Sequence, residues 1–488
     1  MSRVSKENLL YLPGKLAFAV MAVIAVPVYT HLFSVEDLGR FDLALRFSQL
    51  VWTLCVLWLS NVILRFYPVF QLQGQGGAFL ALIGWLRRAG FLVGLLICAL
   101  AWRYGPQRLV GSYRSLIGLA ALVFVGRASL EMGLVVLNAK RKPLAYSLAS
   151  IVNAVAKLGL GVVIAVPLKM GVAGLLWAAA LVPMAVYLVS THSYFSPSKW
   201  RLTTDDRRIL REALVYGLPV MLNLLLSFLL ANSDRYLLKY LLGQGGDAQV
   251  GIYSIGYFLA DQPIQIVYAT LMLGAFPAAM HMYASSGARA AETLVSALVR
   301  VYLLLAVPAC VLLGVLAKPI CFSLAHGEAR QSFLVVPWVA AAAGLLGLME
   351  YYTIGLYIGR RTVLLLAASV GATIVNLVAN YCLIPEYGYY ACGVARVISN
   401  GTLLVLMALV SHRYLRWRLP WVSLFRIALA AGIAGVVAAV VKALLPYNIS
   451  TLGLFGGAGG LAYGASLLAL REVSRDEVSR FLRYLLAR

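Results

Sequence analysis

The stretch Leu38-Gly39-Arg40-Phe41-Asp42-Leu43-Ala44 recurs in altered form as Val250-Gly251-Ile252-Tyr253-Ser254-Ile255-Gly256, at an offset of 212 residues. Two shorter pairs recur at an offset near 219, namely Arg141-Lys142 with Arg360-Arg361 and Ala173-Gly174 with Cys392-Gly393. Each member of a pair stands at or just before the start of an apolar segment. Similar elements at a nearly constant spacing predict a duplicated chain whose two halves share one orientation. The alternative is chance similarity among glycine and aliphatic residues.

The composition around these repeats is that of a membrane protein. Of the 488 residues, 62% are hydrophobic and 12% are charged, which excludes an ordinary soluble domain. Apolar stretches of about 20 residues, long enough to cross a hydrocarbon core as helices, recur along the chain. Stretches such as Leu222 to Leu230 do not alternate between apolar and polar residues, which argues against a membrane β-barrel. The sequence therefore predicts an all-α polytopic membrane protein.

Hydropathy, proline, glycine and charge together predict about 14 transmembrane helices. An even number of spans places both termini on one side of the membrane. The predicted spans are 11–33, 42–67, 84–102, 115–137, 146–166, 171–191, 214–242, 251–277, 297–317, 333–357, 363–384, 390–411, 425–445 and 452–470.

The positive charge of the chain is distributed unevenly among the loops. The formal net charge is +23, from 41 Lys and Arg against 18 Asp and Glu, which in a soluble protein would suggest nucleic acid as a partner. Here most cations lie in the short loops on the side that carries the N-terminus, as the positive-inside rule expects for cytoplasmic loops. Both termini are therefore predicted to be cytoplasmic. The other side holds few cations: Arg40, Arg103, Arg108, Arg114, Lys169, Lys318 and Arg330.

The repeats divide the predicted spans into lobes. Residues 1–195 form an N-terminal lobe of six helices, and residues 213–412 form a second lobe of six. Residues 196–212 are predicted to be a cytoplasmic linker with a short surface helix that begins near Thr204. Residues 413–488 contribute two additional helices and a basic cytoplasmic tail.

Motifs of membrane enzymes are absent from the sequence. It contains no Walker motif, no HExxH and no long external loop, and its cysteines form no CxxC pair. We therefore expect no enzymatic activity, no bound metal and no cofactor other than a coupling H⁺ or Na⁺. Directed transport would then use an ion gradient or the consumption of cargo on the far side.

Ionisable residues inside the spans are the strongest functional signals, since they need a partner or a water-filled cavity. Arg127 and Lys157 lie at about equal distances from the turn that joins spans four and five, which places both near 22 Å from it on adjacent helices. Two cations at one depth predict an anion. Glu131 follows Arg127 by one helical turn. The alternative is a structural Arg127–Glu131 pair with Lys157 satisfied by a carbonyl or a distant acid.

The second half opens with membrane-embedded acids. Asp234 and Asp261 are predicted at similar depths on spans seven and eight, where a carboxylate can take up a proton or bind Na⁺. Asp234 is followed by Arg235, and because successive helical residues point about 100° apart we expect the two to face different neighbours. Structural pairing of each acid is the alternative.

Other charged residues near the spans fall into two groups by depth. Arg65 and Glu350 lie nearer the cytoplasmic end, and Arg396 nearer the outer end. Lys15, Arg46, Lys239 and Arg426 lie close enough to span ends for their charged groups to reach the membrane surface.

The chain resembles the oligosaccharide and polysaccharide flippases of the multidrug/oligosaccharidyl-lipid/polysaccharide exporter superfamily. The residues that carry the resemblance are Val35 to Phe41, Tyr216-Gly217-Leu218-Pro219, Asp234-Arg235 and Val250-Gly251-Ile252-Tyr253, together with the layout of six, six and two spans. The resemblance implies a MATE-like V shape and alternating access. It implies that an undecaprenyl-diphosphate-linked oligosaccharide repeat unit is flipped across a bacterial inner membrane, for a surface polysaccharide such as an exopolysaccharide, O-antigen or lipopolysaccharide.

The charges inside the spans agree with an anionic cargo, because a diphosphate requires cationic partners. The candidate substrate-binding residues are Arg65, Arg127, Lys157, Arg235 and Arg396. The candidate ion-coupling residues are Glu131, Asp234, Asp261 and Glu350. The expected partners are the lipid-linked substrate, membrane lipids, and a polysaccharide polymerase with its export machinery. A cation-coupled multidrug exporter of the same superfamily is the alternative, and a non-transporting lipid-binding protein is a further one.

Overall fold

The structure, a computed structural model, describes residue 10, residues 12–195 and residues 204–473. All regular secondary structure in these residues is helical. The helices are α1 Leu12–Leu32, α2 Val35–Trp52, α3 Trp58–Leu72, α4 Gly76–Tyr104, α5 Gln107–Val110, α6 Ile117–Ala139, α7 Pro143–Ala165, α8 Gly171–Ser190, α9 Thr204–Leu242, α10 Gly246–Ser286, α11 Ala288–Val315, α12 Ala317–Leu324, α13 Val336–Ile358, α14 Thr362–Tyr387, α15 Tyr389–Ser411, α16 Trp421–Leu444 and α17 Ile449–Ala469.

Twelve helical stretches in the described residues are long and apolar enough to cross a membrane. One of them, Arg207–Ser286, contains both α9 and α10, and α1 adds the shorter apolar stretch Val20–Leu32. The prediction of an all-α polytopic membrane protein is confirmed, and its count of about 14 spans is roughly consistent with these helices.

Several helices extend beyond the apolar segments that predicted them. The predicted surface helix near Thr204 is not separate, because α9 runs without a break for 39 residues from Thr204 through the seventh span. Charged residues at its start continue the helix, as in the ion pair between Arg208 and Glu212, whose Nε and Oε1 atoms are 3.0 Å apart. The remainder of the predicted linker, 196–203, and the basic tail beyond 473 lie outside the described residues.

The chain divides into two compact units, Met1–Gly251 and Ile252–Arg488. This division follows packing, whereas the predicted lobes follow the repeat, so the lobe boundaries stay a prediction. In the first unit α8 packs on α6 and α7, and α7 also packs on α1. Small residues permit close approach: a Cβ atom at Gly126 would overlap the Ala180 carbonyl oxygen, and one at Gly133 would overlap the Thr191 hydroxyl.

The second unit contains the same pairs of helices at the corresponding places in the repeat. There α15 packs on α13 and α14, and a glycine again faces a hydroxyl, since a Cβ atom at Gly355 would overlap the Ser411 oxygen. The two C-terminal helices α16 and α17 pack on each other and on α11. Tyr463 of α17 donates a hydrogen bond of 2.8 Å to the Leu304 carbonyl of α11.

The turns that end α6 and α13 have the same geometry. Arg141 and Arg360 both have positive φ, 52° and 54°. Each turn contains the same three backbone hydrogen bonds, which in the first run from Lys140 to Val136, Arg141 to Asn138 and Lys142 to Leu137. The second turn repeats them 219 residues later, from 359 to 355, 360 to 357 and 361 to 356. The same three bonds also follow α17, at residues 470–472, so the geometry is a common way to end a helix and the duplication stays a prediction.

The repeated glycines Gly39 and Gly251 meet within the first unit. A Cβ atom at Gly39 would overlap the Asp247 carbonyl oxygen of α10, and one at Gly251 would overlap the Val35 carbonyl oxygen of α2. Val35 and Asp247 are themselves related by the offset of 212, so the crossing is symmetric. Only glycine lets the two backbones approach this closely. We call this contact the glycine crossing.

We predict that Gly39→Ala lowers the stability of the folded protein, because the added methyl group must separate α2 from α10. Overpacking of this kind costs about 1–3 kcal/mol. The measurement is the thermal unfolding midpoint of the purified protein in detergent. Gly118→Ala is the control, since a Cβ atom there meets nothing within 4 Å. Equal midpoints for the two variants would contradict a close crossing.

Candidate functional site

Helix α9 lies along both α2 and α3 in the first unit. In its N-terminal half Gly217 is packed against the ring of Trp58 in α3. The neighbouring Tyr216 forms an edge-to-face contact with Phe66, with ring centroids 5.7 Å apart. The guanidinium of Arg65 lies 4.3 Å from the centroid of the Tyr216 ring. The predicted substrate residue Arg65 is thus exposed and stacked on the Tyr-Gly-Leu-Pro motif.

Towards the other end of α9, Arg235 is fully buried between two carboxylates. Its Nε lies 3.0 Å from Oδ2 of Asp42 on α2, and its Nη1 lies 3.1 Å from Oδ1 of Asp234. Nη1 also donates to the Ala231 carbonyl at 3.3 Å. Arg235 reaches Asp42 on a neighbouring helix, and its long side chain also folds back onto the preceding carboxylate. These contacts favour a structural role for both residues.

Arg46 continues this network along α2. Its Nε lies 3.2 Å from Oδ1 of Asp42, and its Nη1 donates to Gln49 at 3.2 Å. The interpretation of Arg46 and Lys239 as side chains that reach the membrane surface is wrong. Arg46 is directed at Asp42, and Lys239 is buried with its ammonium 2.8 Å from Asp247. Arg46 lies further inside its helix than predicted, because α2 begins at Val35 and not at 42. Lys239 is near the end of α9 as predicted, but it is held by Asp247 and the Gly243 carbonyl.

Arg127 and Lys157 come together as their equal depth predicted. The Arg127 guanidinium lies 4.8 Å from the centroid of the Trp52 ring, at the end of α2. Arg127 interacts electrostatically with Glu131 and Arg46, and Lys157 interacts with both Arg127 and Glu131. Glu131 therefore acts on both cations. Both cations are half-buried.

These seven charged residues form one continuous group in the first unit, which we call the membrane charge cluster. Ion pairs connect Asp234, Arg235, Asp42 and Arg46, and electrostatic interactions extend the group to Arg127, Glu131 and Lys157. Four are cations and three are acids, so the cluster carries one net positive charge. The two ends of the cluster differ in charge. At one end Arg235 lies between Asp42 and Asp234. At the other end three cations, Arg46, Arg127 and Lys157, have only Glu131 and one oxygen of Asp42 as acidic neighbours within the cluster. The excess positive charge is therefore at the half-buried end.

A second polar group lies in the second unit and contains the other predicted residues. Arg396 is buried on α15, donates a hydrogen bond of 3.0 Å to the Tyr257 hydroxyl and lies 4.6 Å from the centroid of that ring. Tyr268 interacts electrostatically with Asp261, Glu350 and Tyr257. We call these five residues the second-unit polar group. It brings Asp261 and Glu350, two candidate coupling acids, to one tyrosine.

Two asparagines of the second unit, Asn376 and Asn400, are buried between helices. Asn376 donates to the Ser399 hydroxyl at 3.1 Å, and Asn400 donates to the Ala342 carbonyl at 2.8 Å. Polarity alone cannot distinguish such interhelical bonds from cavity-lining groups. In the part of the chain that the structure describes, no group of three His, Cys, Asp or Glu side chains is placed to hold a metal ion.

The sequence model of the family described as "Polysaccharide biosynthesis protein" matches residues 78–325, about half of the chain. No curated protein sequence matches this chain. The fold, however, is similar to solved membrane transport proteins. The lipid II flippase MurJ in an inward closed conformation superposes with a TM-score of 0.73 at 12% identity, over 99% of each chain.

Transporters of the MATE family share the fold over a smaller part of this chain. An inward-facing multidrug resistance MATE transporter of the MOP superfamily gives a TM-score of 0.58 at 15% identity, over 81% of this chain and 94% of that chain. A mutant of the Vibrio cholerae MATE transporter VcmN gives 0.57 at 15% identity, over 84% and 97%. At these identities the similarity establishes the fold alone.

We predict that Arg235→Ala destabilises the protein far more than Arg65→Ala does. Removal of Arg235 takes a fully buried cation from Asp42 and Asp234, and breaking a buried ion pair in this way costs roughly 3–5 kcal/mol. Arg65 is exposed, so its loss removes only a stacking contact of about 0.5–1 kcal/mol. The yield of monodisperse protein and its unfolding midpoint measure the difference. Similar midpoints would show that Arg235 is not structural.

Proposed function

This chain belongs to the polysaccharide biosynthesis protein family, and we propose that it is a flippase for a lipid-linked oligosaccharide. The proposed cargo is an undecaprenyl-diphosphate-linked repeat unit, carried by alternating access from the cytoplasmic to the outer leaflet of a bacterial inner membrane. The observation that carries the proposal is the excess of positive charge at the half-buried end of the membrane charge cluster.

Electrostatics at this end supports an anionic cargo. Arg46, Arg127 and Lys157 lie within one electrostatic neighbourhood, and one full acid, Glu131, is shared between two of them. Like charges inside a membrane repel strongly, so a diphosphate that enters would relieve repulsion as well as form charge-assisted hydrogen bonds. Arginine offers a planar fork to phosphate oxygens, and lysine adds a point charge. The site would therefore recognise the group common to all such cargoes, independent of the sugar.

We place energy coupling in the second-unit polar group. Asp234 is engaged by Arg235, which makes proton uptake or Na⁺ binding there costly. Asp261 and Glu350 share Tyr268 as a neighbour, so that a proton or Na⁺ on either acid changes the local charge. Exchange of a cation there against an anionic lipid would link the gradient to turnover.

A second candidate function is cation-coupled multidrug export, which the same polar group favours. Asp261 and Glu350 with the rings of Tyr257 and Tyr268 supply negative charge and aromatic faces, the chemistry that organic cations require. The two candidates differ in the sign of the transported charge, and transport assays with each class of cargo separate them.

We predict that neutralising the cationic end impairs flipping without unfolding the protein. Each lost charge-assisted contact to a diphosphate costs about 1.5–3 kcal/mol, so Arg127→Gln and Lys157→Met should each slow flipping roughly tenfold or more. The measurement uses proteoliposomes with a fluorescent undecaprenyl-diphosphate oligosaccharide and a membrane-impermeant quencher. Lys157→Arg should retain activity.

The control for this prediction is Arg208→Gln, which removes an exposed cation with 80% of its side-chain surface accessible. It should flip cargo at the parent rate. Full activity of the Arg127 and Lys157 double variant would contradict the proposed diphosphate site. Export of ethidium by the parent, with no flipping of the lipid, would favour the multidrug alternative.

We predict that gradient dependence resides in Asp261 and Glu350. The rate of flipping by the parent should depend on a pH or Na⁺ gradient. The flipping rate of the double variant Asp261→Asn with Glu350→Gln should be independent of both gradients. Glu328→Gln, outside the polar group, is the matched control. A double variant that keeps the full gradient response would exclude these acids and return attention to Asp234 and Glu131.

A further inference from the structure

A polar cavity of about 660 Å³ lies in the first unit at the ends of α2, α5 and α9. Loop charges predict this end to be the outer side of the membrane. Its lining includes Arg40, Arg108, Ser112, Lys239 and Asp247. Lys239 and Asp247 are almost completely buried beneath it, so the cavity has a charged base.

Asp247 joins three separate segments of the chain at this base. Its Oδ2 accepts a hydrogen bond of 2.8 Å from the Lys239 ammonium at the end of α9 and lies 3.6 Å from Nε of Arg40 on α2. Its Oδ1 accepts a hydrogen bond of 2.9 Å from Ser112, in the 3₁₀ turn Gly111–Leu116 between α5 and α6. One carboxylate thus ties α2, this turn and the α9–α10 corner together.

Burial makes the Asp247 contacts stronger than those of the neighbouring acids. The side chain of Asp247 is 2% exposed and that of Lys239 is 5%, whereas Glu36 and Asp37, which also pair with Arg40, are 48% and 42% exposed. Exposed pairs contribute little, and a buried partner left alone is costly. Lys239 is held further by a hydrogen bond of 3.1 Å to the Gly243 carbonyl.

The glycine crossing involves the same residue, Asp247. Asp247 supplies the carbonyl oxygen that Gly39 approaches, and its side chain supplies the ionic contacts. The backbone and the side chain of a single residue therefore hold α10 against α2. The close glycine packing and the ionic contacts therefore act on the same pair of helices, and loss of the ionic contacts weakens the crossing.

We propose that Asp247 is a latch that holds the predicted outer ends of α2, α9 and α10 together, and that cargo leaves on that side only after the latch opens. This inference rests on the proposed flippase function for its role in transport, but the latch itself is a property of the first unit. It makes Asp247 a positioning residue that touches no cargo.

The test measures the distance between spin labels at Ser34 and Gln244 by pulsed electron paramagnetic resonance, in a background without the six native cysteines. Both positions are exposed, one at the start of α2 and one in the α9–α10 turn. We expect Asp247→Asn and Lys239→Met each to raise the long-distance population on the order of tenfold. Glu36→Gln, which removes an exposed acid from the same arginine, should leave the distribution unchanged.

The outcomes separate the latch from the transport function. Unchanged distances in both Asp247→Asn and Lys239→Met would overturn the latch, even if the parent flips lipid. An equal shift in the distance distribution of Glu36→Gln would also overturn the latch, because loss of an exposed acid would then have the same effect as loss of the buried contacts. A shift confined to the two latch variants, in a protein that flips no lipid-linked oligosaccharide, would support the latch and refute the proposed cargo.

Discussion

A buried cation must be matched by acids at short range, and in the first unit Arg235 imposes this requirement on the helices around it. Its contacts with Asp42 and Asp234 fix the position of α9 against α2. Asp42 pairs with both Arg235 and Arg46, so its single negative charge neutralises Arg46 only in part. The excess of positive charge therefore lies near Arg127 and Lys157, and the diphosphate of the proposed cargo would neutralise it.

Most of the fold was predictable because a membrane constrains sequence strongly. A span needs about 20 apolar residues, so hydropathy located the core of nearly every helix. The sequence also predicts that the helices before Arg141 and Arg360 end there, and both turns have the same hydrogen bonds. Helix ends were less predictable, because outside the hydrocarbon core a helix continues or stops according to local ion pairs, such as Arg208 with Glu212 at the start of α9.

The site was predictable where a short hairpin fixes depth and unpredictable where distant segments meet. Arg127 and Lys157 flank one tight turn, so counting residues from it sufficed. Asp42 was quoted in the repeat without a role, because nothing local indicates that Arg235, almost 200 residues away in the chain, will reach it. Tyr257 and Tyr268 were missed for a related reason: uncharged aromatic residues in a span give no signal of which acid or arginine lies beside them.

The π-helical segment Thr53–Leu57 between α2 and α3 adds one residue to a helical turn, which changes the direction in which the side chains after it point relative to those before it. On α9, Gly217 and Arg235 are five full turns apart and share a face. Their partners Trp58 and Asp42 are 16 positions apart, which in an uninterrupted α-helix would direct them about 160° away from each other. The wider π turn absorbs one residue, or about 100°, and brings both partners towards α9. A single helix, α9, can thereby bind Trp58 through Gly217 and Asp42 through Arg235 on the same face.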